Sequence, residues 1–115
     1  MIKQAMIAAI LLGGAPALAA DGPAASARET KVPRIGRFLE HRADGNRGVY
    51  IRADTGRWYY ARMQGECPRL RPNVAISFLG ARGGNFDRFG AIRVEGWRCL
   101  VESVVESAPP PGRGG

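Results

Sequence analysis

Residues 48–67 read GVYIRADTGRWYYARMQGEC, and this stretch decides the fold. Two runs rich in β-branched and aromatic residues flank Asp54-Thr55-Gly56, the composition of two strands around a tight turn. All three tyrosines and one of the two tryptophans lie inside it, and it ends on Cys67, one of only two cysteines. With Gly56 in the left-handed position of a three-residue loop, Ala53 pairs with Arg57, Ile51 with Tyr59 and Val49 with Ala61. One face then carries Val49, Ile51, Ala53, Tyr59, Ala61 and Met63; the other carries Tyr50, Arg52, Trp58, Tyr60 and Arg62. A two-residue loop would place Arg62 behind Val49 and Ile51, and the cost of an unpaired buried charge argues against that register.

Outward from this hairpin, no segment keeps helical periodicity for the ten or so residues a helix needs. Short apolar runs alternate with Gly, Asn, Asp and Pro instead. Strands are expected at 35–41, 48–53, 57–64, 73–79, 90–95 and 97–103. Residues 43–46 form a turn, 80–85 a loop, and 68–72, bounded by prolines, a turn or a single helical turn. Val104-Val105 ends the last strand or starts a short helical cap. The chain thus reads as all-β: a small single-domain antiparallel barrel or curled sheet of about six short strands, with one disulfide and disordered termini.

The termini read differently. A lysine near the start, an apolar run from Ala5 to Leu12 and the small-x-small Ala17-Leu18-Ala19 mark residues 1–19 as a signal peptide. The run is shorter than the roughly 20 residues a membrane span needs. No cysteine follows it to accept a lipid, so the cleaved protein has no expected transmembrane segment. Residues 20–33 read as a disordered leader, 34–107 as the β domain and 108–115 as a disordered Pro/Gly tail. A periplasmic or secreted location follows, and there the lone pair Cys67 and Cys99 reads as a disulfide. No C-x-x-C suggests a redox task.

The net charge is +7, and Lys3 is the only charged residue in 1–19, so the exported chain carries +6. Such a balance points to phosphates, anionic glycans or acidic proteins. Nucleic acid is disfavoured by export. The face Tyr50, Arg52, Trp58, Tyr60 and Arg62 is the candidate binding site, since aromatics and guanidiniums stack on rings and pair with anions. The competing reading makes Trp58 and Tyr60 a second core layer covered by arginine stems, and it carries more weight in so small a domain. Arginines recur at 37, 42, 47, 52, 57 and 62. An odd spacing alternates faces along a strand, so no binding stripe is expected from them. Arg69, Arg71, Arg82 and Arg88 lie in or beside loops, where they offer an anion-binding rim. The stretch GARGGNFDRFG, residues 80–90, lacks the lysine, the hydroxyl residue and the helix of a phosphate loop. It reads as a connection with Phe86 and Phe89 tucked inward and Asp87 paired to an arginine.

Catalysis finds little support. His41 is the only histidine, which excludes a multi-histidine metal site, and its place before a turn suggests a surface residue. The carboxylates are scattered among turns and strand ends. No enzyme activity, metal or cofactor is expected.

With Arg34-Ile35, Trp58 through Met63, Cys67-Pro68-Arg69-Leu70 and the segment from Asp87 to Arg98-Cys99 laid out, the chain resembles DUF6491, a family of small exported proteobacterial proteins of unknown function. The resemblance covers about Arg34 to Val105 and implies a disulfide-closed envelope domain but no activity. The leading expectation is an exported, non-enzymatic binding or accessory module of the bacterial envelope, meeting an anionic component or an acidic protein. The alternatives are an OB-like barrel for single-stranded nucleic acid and a small periplasmic inhibitor of an acidic enzyme.

Overall fold

Alternating apolar residues between 40 and 63 fold into two successive hairpins. In the computed structural model, which describes residues 28–80 and 82–112, β1 (Glu40–Asp44), β2 (Gly48–Arg52) and β3 (Trp58–Met63) pair antiparallel. Ile51 faces Tyr59 and Val49 faces Ala61, the register argued from the sequence. The Ala53 N–H donates to the Arg57 carbonyl at 2.8 Å, and Gly56 takes a φ of 93° that a side chain would resist. Arg42 pairs with Tyr50 and Tyr50 with Tyr60, so partners share parity in both hairpins. All even-numbered positions of β1–β3 therefore lie on one face and all odd ones on the other.

The second half is built on β4 (Ser77–Leu79), β5 (Ala91–Val94) and the eleven-residue β6 (Trp97–Ser107). Glu95 and Gly96 both have positive φ, 49° and 87°, which makes the β5–β6 connection a two-residue turn of the type that matches strand twist. The sheet order is β1-β2-β3-β6-β5-β4. The long β6 pairs with β5 through Trp97 to Leu100 and with β3 through Val101 to Ser107. Where one partner gives way to the other, the register shifts at Arg62/Met63, so that Val101 and Val104 both point inward. A bulge there bends the strand, and the sheet curls into a half-barrel.

The concave side holds the main core. Val49, Ile51, Tyr59, Ala61 and Met63 from the first half meet Ile92, Val94, Val101 and Val104 from the second, with Phe86, Leu70 and Val74 from the loops. The edge strands β1 and β4 face each other through side chains. Phe78 lies edge-on to Phe38 at 5.2 Å, to His41 at 6.2 Å and to Phe86 at 5.1 Å. A disulfide joins Cys67 to Cys99, with 5.7 Å between their Cα atoms, and so ties the loop after β3 to β6.

Several expectations are corrected. The first strand begins at Glu40; Ile35–Arg37 is a 3₁₀ turn that sends Ile35 into the core. Of the two readings of Val104-Val105 the strand holds, and β6 runs on to Ser107. Of the stretch read as a leader, residues 28–33 are described. Val32 is fully buried, bridging Phe86, and Glu29 bridges Val105 along the edge of β6 that β5 leaves open. Within the tail, Pro110 is buried. The signal peptide, the rest of the leader and residues 113–115 lie outside the described residues. Among the described residues no helix is long and apolar enough to cross a membrane.

Candidate functional site

The convex side of the sheet carries two arginine-bearing faces, one on each half. On the β1–β3 half the register sets Glu40, Arg52 and Trp58 in one row, Arg42, Tyr50 and Tyr60 in the next, and Asp44, Gly48 and Arg62 in the third. Arg42 thus joins Arg52 and Arg62 on the face that the hairpin register assigned to them. Spacing along one strand alternates sides, but the two hairpin turns restore the same side every ten residues. Arg37, Arg47 and Arg57 do not join them.

This face is closed. Tyr50, Trp58, Tyr60 and Val105 form a second buried cluster, with Tyr60 at 2 % exposure. The Tyr50 and Tyr60 rings meet edge-on at 4.9 Å, and the Arg62 guanidinium lies 5.7 Å from the Tyr60 ring centre. The Tyr60 hydroxyl donates to Asp44 Oδ2 at 2.7 Å. To reach Asp44 the ring passes over Gly48, where any Cβ would collide with the Tyr60 hydroxyl. Gly48 is the residue that admits this contact. Burial, then the hydrogen bond to Asp44, pushes the Tyr60 phenol well above its usual range, so it stays a neutral donor. Arg52 contacts Glu40 at 3.3 Å and the Gly56 carbonyl at 3.4 Å. Of the candidate residues, Tyr50, Trp58 and Tyr60 are buried, and Arg52 and Arg62 are half-buried over them. A shallow cleft beside the cluster is lined by Arg42, Asp44, Tyr50 and Pro72, together with Pro110 and Pro111 of the tail.

Several carboxylates hold loops and turns in place. Arg34 holds Asp54 through two hydrogen bonds of 2.7 and 2.9 Å, fastening the segment before β1 to the β2–β3 turn. That guanidinium keeps the Asp54 carboxyl below its usual range. Glu95, at the β5–β6 turn, is held below its usual range by Arg71 and then Arg69. The loop arginines 69 and 71 therefore clasp a turn beside the disulfide rather than forming an open rim. Arg57 pairs with Glu106 at 3.1 Å. Asp87 Oδ1 accepts the Phe89 N–H at 2.9 Å, closing a turn, and no arginine pairs with it among the described residues. Phe86 is in the core as expected, but Phe89 is exposed.

His41 is half-buried between Phe38, at 5.5 Å, and Phe78, not a free surface residue. Desolvation lowers its pKa below the ordinary 6.5. Among the described residues no group of three or more His, Cys, Asp or Glu is placed to hold a metal.

The face on the other half was not singled out from the sequence. Arg93 stands directly opposite Arg98, with Ser77 on the far side of Arg93. Both arginines are exposed, and neither has a carboxylate partner among the described residues. Like charges directly opposed on a sheet destabilise the pair. Next along, Leu100 is exposed beside Ala91. The available signal was the six-residue pattern Arg93-Val94-Glu95-Gly96-Trp97-Arg98, whose two-residue turn puts its end residues face to face.

No family model, no curated protein and no solved structure gives a significant match to this chain.

Proposed function

We propose that this protein is an exported, non-enzymatic binding module for an anionic partner, and that its contact surface is the arginine face of β5 and β6. The observation that carries the reading is Arg93 opposite Arg98 with no carboxylate beside them. A fold that pairs Arg34, Arg47, Arg52, Arg57, Arg69 and Arg71 with acids leaves these two uncompensated on an exposed sheet. An external anion relieves that repulsion and accepts hydrogen bonds from both guanidiniums. Export is supported by the residues of 1–19 and by the disulfide, which persists in an oxidising compartment. The resemblance to DUF6491 agrees with an envelope protein and adds no activity.

Retention of the exported protein on heparin resin tests this reading. The wild type is expected to elute late and to lose retention with added salt, as screening requires. Arg93→Glu with Arg98→Glu is expected to elute much earlier. Wild-type flow-through, or equal retention of the double variant, would sink the proposal.

A further inference from the structure

Resting on the reading just given, we infer that the anionic partner is a lipid surface: the β5–β6 hairpin and the turn before it dock on an anionic bilayer. The arginines do not stand alone. Three of the four large apolar side chains exposed among the described residues belong to this region: Phe89 at 73 %, Trp97 at 51 % and Leu100 at 48 %. Phe89 precedes β5 in a turn, Leu100 lies mid-hairpin on the arginine face, and Trp97, opposite the core residue Val94, stands at the tip on the other face. The Arg88 guanidinium stacks 4.9 Å from the Phe89 ring centre. The hairpin thus presents guanidiniums on one face and projecting apolar groups on that face, at its tip and in the turn before it.

That scatter selects the kind of partner. A protein interface gathers its apolar groups into one fully buried centre. Here the apolar groups are spread over both faces of the hairpin and the turn before it, with two arginines between them. Burying such a pair against protein would desolvate two like charges together. A headgroup layer is hydrated and supplies a phosphate to each guanidinium, while isolated aromatic and leucine side chains enter the acyl boundary. The carboxylates of the turns on either side of β5 are held within the fold. Glu95 is held by Arg69 and Arg71, and Asp87 accepts the Phe89 amide.

Co-sedimentation of the exported protein with phosphatidylcholine vesicles, with and without phosphatidylglycerol, tests this. Binding is expected only with phosphatidylglycerol, accompanied by a blue shift in tryptophan emission from Trp97, since Trp58 is already buried. Arg93→Glu with Arg98→Glu is expected to weaken vesicle binding at least about tenfold. Phe89→Ser with Leu100→Ser is expected to weaken it by a similar factor while leaving heparin retention intact. All four side chains are exposed, so the variants keep the fold, and an unchanged thermal midpoint checks that. Heparin retention without vesicle binding overturns the lipid inference and leaves the binding module standing. Retention on a polyglutamate resin without vesicle binding makes the partner an acidic protein and likewise overturns it. Vesicle binding unaffected by Phe89→Ser with Leu100→Ser overturns it too, and failure on both heparin and vesicles removes both proposals.

Discussion

The two convex faces of this sheet are made of the same kinds of residue and do opposite things. On β1–β3, arginines surround Tyr50, Trp58 and Tyr60, and the aromatic rings are buried beneath them. On β5–β6, the opposed Arg93 and Arg98 stand beside Leu100, and the arginines and the leucine are exposed. The difference lies in partners. Asp44 and Glu40 supply acceptors on the first face, whereas the second carries two opposed arginines and no acid between them. Arginine beside an apolar side chain is therefore not a site signature by itself. It becomes one where the fold leaves the charge uncompensated.

The comparison breaks most visibly at its two tryptophans. Trp58→Ala should cost about 3–5 kcal/mol, because it empties the closed face, while Trp97→Ala should change stability by no more than about 0.5 kcal/mol. Urea midpoints of the two variants decide this, and equal losses would erase the distinction between a packed first hairpin and an open β5–β6 tip. The disulfide holds the two halves in one body. Serine at both Cys67 and Cys99 should lower stability by about 3–4 kcal/mol, given a sequence separation of 32. Denaturation with and without reductant measures it.

A smaller effect comes from the seam where β1 and β4 meet. Burial lowers the His41 pKa below its ordinary 6.5, so the unfolded chain takes up a proton before the folded one does. Its contribution is complete above 6.5 and is lost as pH falls from there through the folded-state value. The lowered carboxyls of Asp54 and Glu95 act in a separate window, below their ordinary 3.8 and 4.5. Urea midpoints of the wild type should therefore drop as pH falls below 6.5, and His41→Leu should flatten that slope. An equal slope in the variant would place the titration elsewhere. The smallest expected change has an informative sign. Arg93→Glu alone converts a repulsive cross-strand pair into an attractive one, and should raise stability by about 0.2–1 kcal/mol. A loss of stability would mean that Arg93 already has a partner in the folded protein.

The hairpin was legible because its reasons are local. Gly56 sets the turn, the turn sets the register, and the register separates Val49, Ile51 and Ala61 from Tyr50 and Tyr60. That Arg42 joins Arg52 and Arg62 on their face was missed because it depends on the β1–β2 turn as well, not on spacing within one strand. Phe89 was placed inward beside Phe86, yet the Asp87 turn points it away from the core. Val32 was assigned to a polar leader, since nothing nearby in sequence shows the open edge of β6 that its segment covers.

What the sequence determines alone is the all-β class, the single disulfide and the hairpin at 48–67, because alternation, turn chemistry and cysteine count act over a few residues or by composition. Tertiary structure decides whether Tyr50, Arg52, Trp58, Tyr60 and Arg62 form a site or a layer. It buries the three rings by laying Tyr60 across Gly48 to Asp44. Only tertiary structure tells which arginines find acids, since the partners of Arg34, Arg57 and Arg71 lie 20 or more residues away along the chain. Coulomb pairing depends on distance in space. The stretch that opens the fold thus supplies its closed face, and the later hairpin, plain in sequence, carries the open one.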